Sequence, residues 1–349
     1  MLSSSRRLGA ASLAAVLTAG GLLATAAPTQ AATLTTGDSG ASVTFEKFPD
    51  AGVTCNQTGA GNVSSPGPGT FVANGVPVTS TASSSAVITD AGNAADKTTM
   101  SGTVTSTVTA SGVGGQLSTL HMAVTAASSL TTAVANTKCG AEVTASGITE
   151  LGFNLGAPTL VTITAETHHL TGIVQVVNPA STGGDIDGVV SFTAGRHGTS
   201  TATSLLQPGS GLVSFSQIQS AQDAPDTVGT TASSGDLTLD ISFETPGLAS
   251  TSQAGSAGKY VALGAGRDCA AGTLPLTWSK KAGKGKSRVI KKATVTVNGV
   301  KVVTVKKPKK HQVTLLTGLN AEKAADVEVS FKIKGKGRFE TERSYLRCS

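Results

Sequence analysis

Aromatic residues make up only 3% of this 349-residue chain, with one Trp and two Tyr. A binding face built from several stacked rings is therefore excluded. Charge is sparse as well, at 14% against 39% hydrophobic residues, and disorder by charge repulsion needs the opposite balance. No long apolar run occurs beyond the N-terminus, which leaves no spanning helix in the mature chain. Cysteines at CxxC or zinc-knuckle spacing are also missing, so thiol redox chemistry and zinc held by thiolates are poor readings.

What is present begins with an address. Arg6 and Arg7 precede a small, apolar stretch from Leu8 to Ala24, and small residues follow. Residues 1–31 read as a secretory signal cleaved after Ala24-Thr25-Ala26 or Thr29-Gln30-Ala31. The arginine pair lacks the continuation of a twin-arginine signal, and neither a lipobox cysteine nor an LPxTG-like sorting sequence is found. Four cysteines remain after export: Cys55, Cys139, Cys269 and Cys348. An even count in an exported chain reads as disulfides with three connectivities open. Sequential pairing, Cys55 with Cys139 and Cys269 with Cys348, is expected because it keeps each bridge within one half of the chain.

Those halves differ in charge. Residues 32–266 hold five basic and fifteen acidic residues, a net of −10, whereas 267–349 hold twenty basic and six acidic, a net of +14. Such asymmetry marks a domain boundary and different partners. The Gly/Ser/Ala stretch near 248–258 is the candidate linker.

Period-two patterns run through the acidic half, at Val43–Phe48, Thr103–Thr109, Leu160–Ala165, Gly188–Thr193 and Asp236–Phe243. Between them lie Gly, Pro, Asn, Asp and Ser clusters. An all-β fold follows, with a jelly-roll-like β-sandwich over 32–266. In the basic half, Ala293–Val297 and Val300–Val305 flank Asn298-Gly299, the strongest short hairpin signal. A second hairpin is expected from Asp326–Lys334 and Arg338–Leu346, and a further strand over His311–Leu316.

Cys269, Trp278-Ser279-Lys280-Lys281, Lys291 to Gly299, Leu316-Thr317-Gly318-Leu319 and Arg343 to Cys348 together resemble the C-terminal Ig-like β-sandwich module of secreted actinobacterial proteins. The resemblance covers residues 267–349, about a quarter of the chain. It implies an accessory extracellular module and transfers no catalytic residue.

Local chemistry is thin. Gly37-Asp38-Ser39-Gly40 matches the nucleophile turn of chymotrypsin-like proteases, but all five histidines follow it rather than precede it, and it reads as a plain turn. Glu166 and His168 share one face of a strand and suit two metal ligands, with no third assignable. Gly184-Asp185-Ile186-Asp187-Gly188 has the oxygen-rich, tight-turn character of a calcium loop without the remaining EF-hand ligands. The threonine face at Thr103–Thr109 reads as soluble sheet surface, and Trp278 as core. Fifteen acids offer carboxylate pairs for glycoside hydrolysis, yet no local signature promotes any pair.

Lysine supplies the one functional signal above background. Lys280, Lys281, Lys284, Lys286, Arg288, Lys291 and Lys292 form one cluster, and Lys306, Lys307, Lys309 and Lys310 another around Pro308. Dense cationic surface attracts polyanions, and the absence of a recognition helix argues against base-specific nucleic-acid reading. The sequence thus reads as a secreted, non-enzymatic, cell-envelope-associated protein without a cofactor. Its anion-binding residues are Lys280, Lys281, Lys291, Lys292, Lys306, Lys307, Lys309 and Lys310, and its partners anionic cell-wall polymers or other polyanions. The alternative is an extracellular hydrolase or carbohydrate-binding protein with its site in the acidic domain.

Overall fold

Alternation over Thr103–Thr109 sends Val104 and Val108 inward beside Met100 and Ala110, while the threonines stay on the opposite face. The computed structural model describes residues 32–348 except 68–71, 178–188, 192–196, 223–227, 284–289 and 334. It carries that period through most of its length. The signal-like segment 1–31 lies outside the described residues, as do Asp185 and Asp187 of the calcium-like loop. Among the described residues no helix is long and apolar enough to cross a membrane.

Among the described residues the first unit contains thirteen strands: β1 (Ala32–Pro49), β2 (Cys55–Gly59), β3 (Val63–Pro66), β4 (Pro77–Asp90), β5 (Asn93–Val113), β6 (Gln116–Thr132), β7 (Cys139–Leu155), β8 (Thr159–His168), β9 (Thr171–Val177), β10 (Val189–Ser191), β11 (Gly198–Leu206), β12 (Gly209–Gln222) and β13 (Gly229–Glu244). Pairing is antiparallel throughout. One layer runs β2-β4-β5-β6-β13-β8-β11 and the other β3-β1-β7-β12-β9-β10. They meet at a corner where Ala32 and Thr33 pair with Leu117 and Gln116. Inward residues of both layers form one core, with Val43, Val143, Phe153 and Phe215 from one side and Ile88, Met100, Leu120, Met122 and Leu239 from the other. This is a β-sandwich.

Among the described residues the second unit contains seven strands: β14 (Val261–Leu263), β15 (Leu274–Trp278), β16 (Lys292–Val297), β17 (Val300–Lys306), β18 (Val313–Leu316), β19 (Ala325–Ile333) and β20 (Gly337–Tyr345). Strands β14-β15-β18 form one sheet and β17-β16-β19-β20 the other. That three-plus-four division, with connections that cross between sheets, is the Ig-like sandwich. The Asn298-Gly299 turn has φ of 51° and 76°, the positive pair that a type I′ hairpin needs. Trp278 is fully buried and donates its indole N–H to Thr314 Oγ1 at 3.0 Å. Tyr345 is fully buried too, its hydroxyl donating to the Gly264 carbonyl at 2.8 Å, and burial pushes its pKa up to about 12. Both expected disulfides are present, Cys55–Cys139 and Cys269–Cys348, with Cα–Cα distances of 5.8 and 5.4 Å.

The linker expected near 248–258 is not a linker. Its backbone lies along β20: Ser250 N–H donates to Ser344 O, Ala254 N–H to Glu342 O and Ala257 N–H to Glu340 O. Ala257 is fully buried in the second core. The Gln253 amide binds Val261 O, Thr341 Oγ1 and Leu263 N–H, which ties the segment to β14. Its small residues serve close approach rather than mobility. Gly255 has φ 99°, and a Cβ there would collide with the Glu340 carbonyl. The second unit therefore begins near Leu248 rather than Arg267, and Lys259 belongs to it. On that division the net charges are −11 for 32–247 and +15 for 248–349.

Two stability outcomes follow. Gly255→Val combines an unfavourable φ with a backbone collision and should destabilise the second unit by about 1–3 kcal/mol in denaturant unfolding. A tether free of β20 would leave the midpoint unchanged. Replacing both Cys269 and Cys348 by Ala opens a loop spanning a sequence separation of 79. It should cost about 4 kcal/mol in the chain-entropy account, read as a large fall in Tm relative to the oxidised parent.

Candidate functional site

Two connections cross the same end of the second sandwich. One joins β15 to β16 and carries Lys280, Lys281 and Lys291; the other joins β17 to β18 and carries Lys307, Pro308, Lys309, Lys310 and His311. They are stitched together by their backbones. His311 N–H donates to Trp278 O at 2.9 Å, Trp278 N–H to Gln312 O at 2.9 Å, and Lys307 N–H to Lys291 O at 2.9 Å. The Gly283 backbone abuts Lys309–Lys310 so tightly that a Cβ there would come within 2.5 Å of the Lys310 nitrogen. Lysines separated by up to 30 positions in sequence thus share one pole, and all eight predicted anion-binding lysines are exposed there. Lys284, Lys286 and Arg288 lie outside the described residues.

Strand register adds basic residues that sequence reasoning missed. Lys306 pairs with Lys292. Ala293 pairs with Phe331, which sets Lys332 beside Lys292, and Lys332 pairs with Arg338. A row of four basic side chains therefore crosses the outward face of β17-β16-β19-β20. Lys336, in the β19–β20 turn, sits at the same end, as does Lys259 at the entry to β14. No local signal marks these residues as partners of the lysine clusters, because only the register brings the hairpin turn to this end.

The acidic residues of the unit lie at the opposite end or, in β19–β20, beside Arg338 at the edge of the basic row. Asp268, Glu322 and Asp326 belong to the opposite end, where β15 and β19 begin. Glu328, Glu340 and Glu342 lie on the outward face of β19–β20, where Glu340 and Glu328 pair with Arg338. Among the described residues Lys280, Lys281, Lys291, Lys292, Lys306, Lys309 and Lys310 make no ion pair. These seven exposed lysines concentrate positive charge at one end of the unit.

The acidic unit places its candidates differently. Gly37-Asp38-Ser39-Gly40 is not a turn but mid-strand in β1, with Ser39 opposite Thr149 and buried. Ser39 points into the sandwich, so period-two placement rather than turn chemistry decides its surroundings. The threonine face of β5 continues across β6 and β13 as a shallow depression of about 350 Å³ lined by Thr103, Thr105, Thr125, Ser234 and Asp236. All three Trp and Tyr rings of the chain are buried, so none is offered to a sugar face.

Glu166 and His168 do share the outward face of β8, and register gives them neighbours. His168 pairs with Asp236 on one side, Nδ1 to Oδ2 at 2.9 Å. Its Nε2 lies 3.7 Å from Glu166 Oε1. On the other side His197 directly precedes Gly198, which pairs with Thr167, and the His168 and His197 ring centroids are 5.3 Å apart. His169 packs edge-on against His197 at 4.3 Å. The hydrogen bond that His168 donates to Asp236, reinforced by the charges of Asp236 and Glu166, raises the His168 pKa above the usual imidazole value.

A raised folded-state pKa stabilises the fold below the ordinary imidazole range, and that contribution disappears as pH rises through the raised value. Asp236→Asn should therefore shift the His168 titration to lower pH, followed by NMR of the imidazole carbons. An unchanged titration would show that Asp236 does not hold the proton.

No family model matches the chain, and no curated protein matches it. One solved structure, the central fibronectin-III array of RIM-binding protein, aligns over 72% of this chain and 88% of that one. Identity is 14% and the TM-score 0.16, a superposition too loose to carry an argument about fold or function.

Proposed function

We propose that this is a secreted, non-enzymatic, cell-envelope-associated protein whose basic Ig-like unit binds anionic wall polymers. The supporting observation is the polarity of that unit: lysines from separate segments converge on one end, and the carboxylates lie at the opposite end or on β19–β20, where two of them pair with Arg338. A solubilising surface needs interspersed charges of both signs. Two disulfides are consistent with an oxidising, extracellular setting. The acidic sandwich, at −11, would be repelled from the same polymers and held outward, leaving the basic pole to make the contact.

Attraction of this kind is electrostatic and long-ranged, and it weakens with ionic strength. The Debye length falls to roughly 3 Å in 1 M salt, so the mature chain should bind teichoic-acid-bearing walls at physiological salt and elute in 1 M NaCl. A lysine near an anionic surface contributes about 1 kcal/mol. Replacing Lys306, Lys307, Lys309 and Lys310 by Gln should weaken wall retention by up to about a thousandfold where the four contributions add, with an unchanged circular dichroism spectrum because these side chains are exposed. Retention that ignores salt, or survives the four substitutions intact, would sink the proposal.

A further inference from the structure

Three of the chain's five histidines gather at one corner of the acidic sandwich, far in sequence from the lysine pole, and nothing in the anion-binding reading uses them. Their placement comes from backbone register rather than from chosen rotamers. Asp236 and His168 pair across β13 and β8, Glu166 lies two residues before His168 on the same outward face, and His197 immediately precedes β11 with its ring 5.3 Å from that of His168. The hydroxyl pairs Thr162–Thr203 and Thr164–Thr201, at 3.1 and 3.3 Å, fix the same register along β8 and β11.

Two features show that the corner is held in an unusual shape. His169 adopts φ 61°, a left-handed conformation rarely taken by a non-glycine residue and one that persists only where the surroundings over-determine it. Gly235, next to Asp236, leaves no room for a Cβ, because the carbonyls of His168 and His169 press upon it. The strand end that carries both histidines is therefore clamped onto β13.

The geometry points to a binding site for a divalent transition-metal ion of the zinc class, with His168 Nε2, Glu166 and His197 as ligands. Imidazole with carboxylate is a donor set that suits such ions, and three protein ligands leave a position for water. Asp236 receives the Nδ1 proton of His168, which presents the Nε2 lone pair outward and fixes the ring, as carboxylates behind metal-bound histidines do. His168 Nε2 and Glu166 Oε1, at 3.7 Å, are too far apart for a hydrogen bond. Two ligands of a tetrahedral ion, each at about 2.1 Å from it, stand roughly 3.4 Å apart, so this pair needs only a small closure. Among the described residues no three donors already converge on one point. The ion would draw them in by rotating exposed rings whose backbone positions are already set. All four cysteines are in disulfides, so no thiolate competes.

The test is calorimetric titration of ZnCl₂ into the mature chain after EDTA treatment, at pH 7.5 in phosphate-free buffer. One saturable site per chain is expected. His168→Ala and His197→Ala should each weaken it at least tenfold, and Asp236→Asn by about 10–100-fold through loss of orientation. His121→Ala is the control: His121 pairs with Asp240 at 2.7 Å, farther along the same face, and its loss should leave zinc affinity unchanged. Because these side chains are exposed, circular dichroism should show every variant folded. No saturable binding by the parent chain, or binding equally strong in the His168 and His197 variants, would overturn the assignment.

Discussion

Everything in this molecule depends on covering one face of each strand with a second sheet. A strand displays alternate residues to opposite sides, so half of each strand is apolar and must be buried. With few aromatic rings available, the large core is filled by Ala, Val, Leu, Ile and Met, with Phe153 and Phe243 meeting edge-to-face at 5.4 Å. Thr and Ser occupy many of the outward positions, which explains how so weakly charged a chain presents polar surface.

In the second unit the last strand organises the rest. Segment 248–257 hydrogen-bonds along β20, and Arg343 donates to the carbonyls of Thr251, Leu263 and Gly264. Cys348 closes onto Cys269. Arg267 is buried and donates to the carbonyls of Asn320 and Lys323, which anchors the loop leading into β19. Beginning and end of the unit are thus bound to each other at the end away from the lysines. The connections at the other end are free to carry like charges, since the cores and the disulfide supply the stability that like-charge repulsion there takes away.

The two candidate sites differ in kind. The lysine pole is a charge density, tolerant of position and sensitive to salt. The histidine corner is a directional arrangement, in which the Asp236 carboxylate orients one ring and a clamped strand end positions another.

Much of the fold was legible locally. Alternation at Thr103–Thr109 and Asp236–Phe243 encodes strands, and Asn298-Gly299 encodes its hairpin, because each depends only on neighbours in sequence. Gly37-Asp38-Ser39-Gly40 read as a turn but lies mid-strand in β1, since a sheet accepts small polar residues along its length. Leu248–Gly258 read as a tether for the same compositional reason, though Gly255 is there to let two backbones touch. Which residues share an end or a row was not legible. Lys332 beside Lys292 and His197 beside His168 are products of register between strands far apart in sequence. Alternation determines which face a side chain occupies, but only the tertiary pairing of strands decides which side chain stands next to it.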